Sequence, residues 1–161
     1  MITLTPIGII RNSRQTPEDD NWGEIESEIL IGDLLGEDCL DEIESFSHIE
    51  VIYYFHLVDE QKIETGARHP RNNTAWPKVG ILAQRGKNRL NRLGLTTAKL
   101  LRCEGRSLFV TGLDAVDGTP VLDIKPVMRE FLPQEEIKQP EWSIELMQNY
   151  WEKMKWQPSI H

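Results

Sequence analysis

Hydrophobic positions along this chain alternate more often than they recur every three or four residues. Between residues 22 and 31, Ile25, Ser27, Ile29 and Ile31 fall on one face, with Glu24, Glu26 and Glu28 on the other. A period of two predicts a strand with one buried face. Residues 6–11 form a compact β-type run, and residues 49–58 are rich in the β-branched and aromatic side chains that suit a buried strand. Residues 79–84 predict a further strand. Residues 95–102 and 107–112 predict a hairpin around Glu104-Gly105, and residues 121–125 a short strand after the Asp117-Gly118 turn. Helix signals are few. Asp38 is a candidate N-cap for a short helix over residues 38–44. Met147, Tyr150, Trp151 and Met154 stand at i, i+3, i+4 and i+7, an amphipathic C-terminal helix that Pro140 can begin. Residues 59–78, polar and holding Gly66, Pro70, Asn72, Asn73 and Pro77, predict a long loop, a feature often tied to function.

These elements add up to a mainly β chain of roughly seven strands, with one short helix and a C-terminal helix. The pattern changes after Pro133, so residues 1–133 are expected to form the β domain and residues 134–161 a helical extension of it. Strands do not alternate with long helices, which argues against a doubly wound sheet. No GxGxxG follows a strand, so a Rossmann-type cofactor site is not supported.

The length of 161 residues suits one domain with a core that needs no disulfide or metal. Cys39 and Cys103 are far apart and without CxxC or Cys/His spacing, so neither a secreted disulfide framework nor zinc is expected. The first residues lack a signal-peptide pattern, and no apolar run approaches the ~18 residues of a membrane span. A cytoplasmic location and no membrane partner are expected. Net charge is −8, which disfavours general affinity for nucleic acid. The average hides an asymmetry. From Arg68 to Cys103 the chain carries Arg68, Arg71, Lys78, Arg85, Lys87, Arg89, Arg92, Lys99 and Arg102 and no Asp or Glu. Such a block suggests a local anion site; the plain alternative is a solvated face balanced by acidic neighbours.

Two segments carry candidate chemistry. RGKNRLNRLGLT, residues 85–96, mixes arginines, asparagines and two glycines after a strand. Arg offers planar paired donors for carboxylate or phosphate, Asn offers donor and acceptor, and Gly permits close approach. GLDAVDGTPVLDIKP, residues 112–126, brings Asp114, Asp117 and Asp123 close in sequence. These carboxylates suit ribose hydroxyls, a cation or a proton in transit, although Asp before Gly is also ordinary turn chemistry. His48 and His56 bracket one strand and lie ~26 Å apart if it is fully extended, too far to share a metal. No GxSxG is present and neither cysteine has a visible partner, which disfavours covalent catalysis. Transfer from a pre-activated donor needs only positioning and complementary charge.

Four blocks in order resemble one family. PIGIIRNSRQTP (6–17), IESFSHIEVIYYFH (43–56), VGILAQRGKNRLNRLGLT (79–96) and GLDAVDGTPVLDIKP (112–126) are similar to the ordered segments of the TsaA/TrmO family. The resemblance implies a small antiparallel β-barrel that binds S-adenosylmethionine outside any Rossmann fold, acts as a homodimer, and methylates the exocyclic amine of threonylcarbamoyladenosine in tRNA. It implies cofactor contacts from Arg14, Gln15, His56, Arg85, Leu95, Leu113, Asp114 and Asp117. Arg89 and Asn91 match the loop facing the acceptor, and the base that takes the acceptor's proton is either a site carboxylate such as Asp117 or the substrate's own threonyl carboxylate. No metal is implied.

The chain also departs from the family pattern. Thr16 stands where the Arg-Gln turn continues with proline, Val127 replaces the tyrosine after DIKP, and the family's RPNP core reads Arg89-Leu90-Asn91-Arg92. Proline fixes φ, so the loss of both prolines predicts a differently shaped loop. Two other readings follow. One keeps the cofactor and changes the acceptor to a small molecule or another RNA. The other is a barrel that binds RNA or a nucleotide without catalysis; Trp76 alone as an aromatic in the basic block weakens it, because single-strand binders stack bases on several.

Overall fold

Alternation closes into a barrel. The computed structural model describes residues 1–152. Its strands are β1 (Gly8–Arg11), β2 (Glu26–Ile31), β3 (His48–Tyr54), β4 (Ala67–Arg68), β5 (Val79–Gly80), β6 (Leu93–Glu104), β7 (Ser107–Thr111) and β8 (Pro120–Pro126). Six of them form a closed antiparallel barrel in the order β1-β2-β7-β6-β3-β8, while β4 and β5 pair separately.

Every second residue of the long strands points into the core. Ile29 and Ile31 of β2, Ile49, Val51 and Tyr53 of β3, Thr96, Ala98 and Leu100 of β6, and Leu108 and Val110 of β7 are buried. Each large aliphatic chain removed from water contributes about 1.5–3 kcal/mol, so the alternating positions supply the drive for closure. Curvature comes from irregular register. β6 shifts against β7 between Leu100 and Arg102, and β3 shifts against β8 between Ile52 and Tyr53. Such bulges bend and twist a strand. The seam between β1 and β8 pairs only Gly8 with Val121 and Ile9 with Pro120. Flanking backbone bonds extend it: the Ile7 amide donates to the Val121 carbonyl at 2.8 Å, and the Gly118 amide to the Ile10 carbonyl at 2.7 Å.

Three expected elements take other forms. Residues 38–44 form successive turns rather than a helix, ending in a 3-10 turn at Ile43–Ser45, because Glu42 adopts φ 66 and interrupts any helical run. The strand expected over 79–84 pairs only at Val79–Gly80 and then turns at Ile81–Ala83. Ile81 is buried at 7% exposure while Leu82 is left 89% exposed, and among the described residues no strand pairs with it. The C-terminal helix is α1 (Glu141–Leu146), with Pro140 at its start as expected; residues 147–152 are turns. The carbonyls of Asn149 and Tyr150 accept from the amides of Asn21 and Trp22, which draws this backbone out of helical pairing. Met154 lies outside the described residues. No helix among the described residues is long and apolar enough to cross a membrane.

Candidate cofactor and acceptor site

Asp114 lies three residues past the end of β7. Gly112, at φ 76, turns the chain, and Leu113, fully buried, anchors that turn in the core. The Asp114 carboxylate then meets three hydroxyls from distant parts of the sequence. Tyr53 donates to Oδ1 at 3.0 Å, Thr96 donates to the same oxygen, and Tyr150 donates to Oδ2. The hydroxyls of Tyr53 and Thr96 lie 3.2 Å apart. Burial, and then the Asp114 charge, pushes the Tyr53 phenol well above its ordinary range; the same two causes raise Tyr150. Both remain donors at any physiological pH.

Gly94 makes this arrangement possible. It lies opposite Tyr53 in the β3–β6 register, and a Cβ there would stand 2.3 Å from a ring carbon of Tyr53. A glycine inside a strand commonly marks such a close approach. The ring crosses above Gly94 and carries its hydroxyl to Thr96, two residues along the same face.

The turn after β1 is tied to the same block. Asn12 Nδ2 donates to Ser27 Oγ at 2.9 Å and to the Ala115 carbonyl at 2.7 Å, and its backbone amide donates to Asp117 Oδ1 at 3.0 Å. The Asp117 amide returns a bond to the Arg14 carbonyl at 2.6 Å. Arg14 folds the next loop around its guanidinium, donating to the carbonyls of Asp20 and Asn21, pairing with Glu18 at 2.6 Å, and lying 4.7 Å from the ring centre of Trp22. Gln15, beside it, is exposed. His56 Nε2 is 3.7 Å from where a Cβ on Gly118 would sit, so the ring lies against the Asp117-Gly118 turn. Burial holds His56 below its ordinary value and keeps it neutral.

The basic loop reaches this cluster through Arg85. Its guanidinium donates to the Leu95 carbonyl at 2.5 Å and lies near enough to Tyr53 to act on it electrostatically. Leu95 points outward from β6 and is 49% exposed. Farther out, Arg89 donates to the carbonyls of Gln84 and Gly86, and Asn91 is exposed. Arg92 adopts φ 51, which proline cannot reach. Its guanidinium bonds the Tyr54 hydroxyl at 2.8 Å and Glu60 at 3.1 Å. The altered loop is therefore shaped by its own arginines. A cleft of about 400 Å³ opens beside Arg14, lined by Arg14, Asn21, Gly23, Glu24, Ile25 and Glu152.

The blocks 85–96 and 112–126 thus meet at one end of the barrel, with the turn after β1 and His56 next to them. Sequence reasoning did not pick out Tyr53, Thr96, Asn12 or Tyr150. Tyr53 carried a readable signal: an inward phenol on a buried strand needs a polar partner. Among the described residues no His/Cys/Asp/Glu cluster could hold a metal ion.

A closed six-stranded antiparallel barrel with a hydroxyl-bound carboxylate at one end defines a class apart from the doubly wound cofactor folds. Within that class, the family model "tRNA-methyltransferase O N-terminal domain" matches residues 9–131, and the chain belongs to this family. It is 38% identical over 130 residues to a probable S-adenosyl-L-methionine-binding protein of Methanothermobacter thermautotrophicus, covering 78% of this chain and 89% of that one. It is 35% identical over 113 residues to the human tRNA (adenine(37)-N6)-methyltransferase, covering 70% of this chain and 25% of that protein. The chain therefore spans about a quarter of the human relative's length. A crystal structure of TrmO from P. aeruginosa superposes with a TM-score of 0.63 at 25% identity, over 81% of this chain and 57% of that one.

Proposed function

We propose that this protein is a methyltransferase that uses S-adenosylmethionine to methylate the exocyclic amine of an adenine in tRNA, with threonylcarbamoyladenosine as the acceptor. The observation that carries the reading is the convergence of Tyr53, Thr96 and Asp114, which joins the two segments of the sequence richest in candidate chemistry. The names of the human and archaeal relatives support the tRNA and the cofactor respectively.

The donor set fits the cofactor. Its ribose hydroxyls and its cationic centre need a carboxylate, and Asp114 Oδ2, which takes the Tyr150 hydroxyl here, lies away from the two barrel hydroxyls. Its carboxylate needs a cation, which Arg85 offers, whereas Arg14 is already paired with Glu18 and shapes the wall beside it. Leu95 provides apolar surface, Leu113 fixes the turn that carries Asp114, and Gln15 and the neutral His56 supply uncharged polar contacts. When bound, the cofactor supplies a methyl group already activated on sulfur, so no protein nucleophile is required.

The chain's own residues then orient and manage charge. Arg89 and Asn91 face the acceptor, where a guanidinium can hold a substrate carboxylate or a phosphate. Asp117 has one oxygen engaged by the Asn12 amide, so its second oxygen is the one available to take a proton from the acceptor amine. Orientation of this kind can be worth about 7–11 kcal/mol. We also read the protein as a cytoplasmic homodimer. Leu93, Leu95 and Leu101, exposed on the outer face of β6, support pairing of two barrels.

The test uses methyl-labelled S-adenosylmethionine and total tRNA, followed by digestion to nucleosides. Label on an N6-methylated threonylcarbamoyladenosine is the expected result. Cofactor binding with no label in tRNA would reject the acceptor and leave the cofactor. Absence of binding in calorimetry at millimolar cofactor would reject the reading as a whole.

A further inference from the structure

The last described stretch of chain contributes to the site in a way the barrel strands do not. Residues 128–141 leading to it are exposed throughout, and α1 buries no residue. Among the described residues its hydrogen bonds to the rest of the chain are few, and its side chains, Trp142, Leu146, Met147, Tyr150 and Trp151 among them, are at most half-buried. The amides of Asn21 and Trp22 donate to the carbonyls of Asn149 and Tyr150 at 3.1 and 2.9 Å, and Trp76 Nε1 donates to Glu145 at 2.8 Å. Tyr150 then donates to Asp114 Oδ2. Segments held by few buried contacts open at low cost.

Asp114 is served unequally. Oδ1 is held by Tyr53 and Thr96, two buried side chains of the barrel, and keeps both partners whatever the C-terminal segment does. Oδ2 receives its hydroxyl from Tyr150. That is the oxygen a ligand with hydroxyl or cationic donors would need. Exchanging one donor for another on a carboxylate is close to neutral, because the acceptor is satisfied before and after.

We propose that residues 141–152 form a strap across the site, with Tyr150 as a stand-in donor on Asp114 that a bound adenosyl ligand displaces. The inference rests on the reading of Asp114 as a cofactor ligand. The strap competes with the ligand from within the same chain, so the apparent affinity equals the intrinsic affinity multiplied by the fraction of molecules with the strap released. It keeps the carboxylate satisfied when no ligand is bound.

The experiment pairs Tyr150→Phe with the unaltered protein, both as the full chain. Calorimetry gives the affinity for S-adenosylmethionine, and hydrogen exchange by NMR follows the amides of Asn21 and Trp22, which report directly on strap docking. Tyr150→Phe is expected to bind the cofactor about tenfold more tightly, since a hydrogen bond to a charged group is lost from the closed form only. Saturating cofactor is expected to speed exchange at both amides in the unaltered protein. Equal or weaker binding by Tyr150→Phe, or amides that stay protected under saturating cofactor, would overturn the strap and leave Tyr150 as a fixed wall of an intact cofactor site. No binding by either protein at millimolar cofactor would overturn the strap together with the reading of Asp114.

Discussion

Gly94→Ala tests how the site is built. Glycine inside a strand is ordinarily a weakness, and replacing it with alanine would stabilise by roughly 0.5–1 kcal/mol where space allows. Here space does not allow it. The added methyl would stand 2.3, 2.4 and 2.8 Å from three ring carbons of Tyr53, where carbon atoms rest about 3.5–4.0 Å apart. The ring must move by more than ~1 Å to restore that spacing. It has no free direction, because Tyr53 is 2% exposed and enclosed by the barrel core. Overpacking of this severity costs about 2–3 kcal/mol, which in a domain of this size lowers Tm by about 4–12 °C. Thermal unfolding followed by circular dichroism measures it. A cycle with Tyr53→Leu isolates the cause: with the ring gone, Gly94→Ala should be neutral or mildly stabilising, giving a coupling above ~1 kcal/mol. A stabilising Gly94→Ala in the unaltered background, or a cost that persists with leucine at position 53, would show that the ring and the glycine are not matched as described.

Two further predictions concern the residues around Asp117. Burial lowers the His56 pKa from 6.5, so the unfolded chain takes up a proton more readily than the folded one; stability then rises with pH across the window just below 6.5 and falls as acid is added through it. In denaturant titrations at a series of pH values, His56→Gln should flatten that dependence, and an unchanged slope would remove His56 as its source. Arg14→Ala should lower stability by about 0.5–1.5 kcal/mol by removing the guanidinium's bonds to the part-buried Asp20 carbonyl and the exposed Asn21 carbonyl, and should change the fluorescence of the buried Trp22; a urea midpoint within error of the unaltered protein would mean that the guanidinium does not organise that loop.

The strand plan was readable because alternation is a local property. Ser27, grouped with three isoleucines by period alone, is fully buried and accepts from Asn12. The 85–96 and 112–126 segments were recognisable from residue type and order, and they do meet. What could not be read was set by contacts between distant residues. Nothing local marks Glu42 for positive φ, and nothing near residue 81 says that no strand will be there to pair with residues 81–84. The expected helix near the C-terminus had sound periodicity, but pairing of Asn149 and Tyr150 with Asn21 and Trp22 redirects its backbone. Tyr150 is the sharpest case. Its place in a helical pattern suggested ordinary packing, whereas its hydroxyl reaches a carboxylate 36 positions away. The loop arginines lie between these extremes: missing prolines foretold a new shape, but only the fold shows Arg92 taking on the turn and Tyr54 receiving its guanidinium.

The Asp114 carboxylate is held on one oxygen by hydroxyls from positions 53 and 96, so it exists as an oriented binding group only once β3 and β6 have found their places. A chain stalled or nicked before the β1–β8 seam shuts has the ingredients and no receptor. Recognition of ligand is in that sense an inspection of the finished barrel. By mass action, any molecule that takes this carboxylate withdraws native protein from the unfolding equilibrium and raises its melting point with concentration. A simple heat ramp across a library of nucleosides and sulfonium compounds would therefore sort true occupants from bystanders without any knowledge of the reaction.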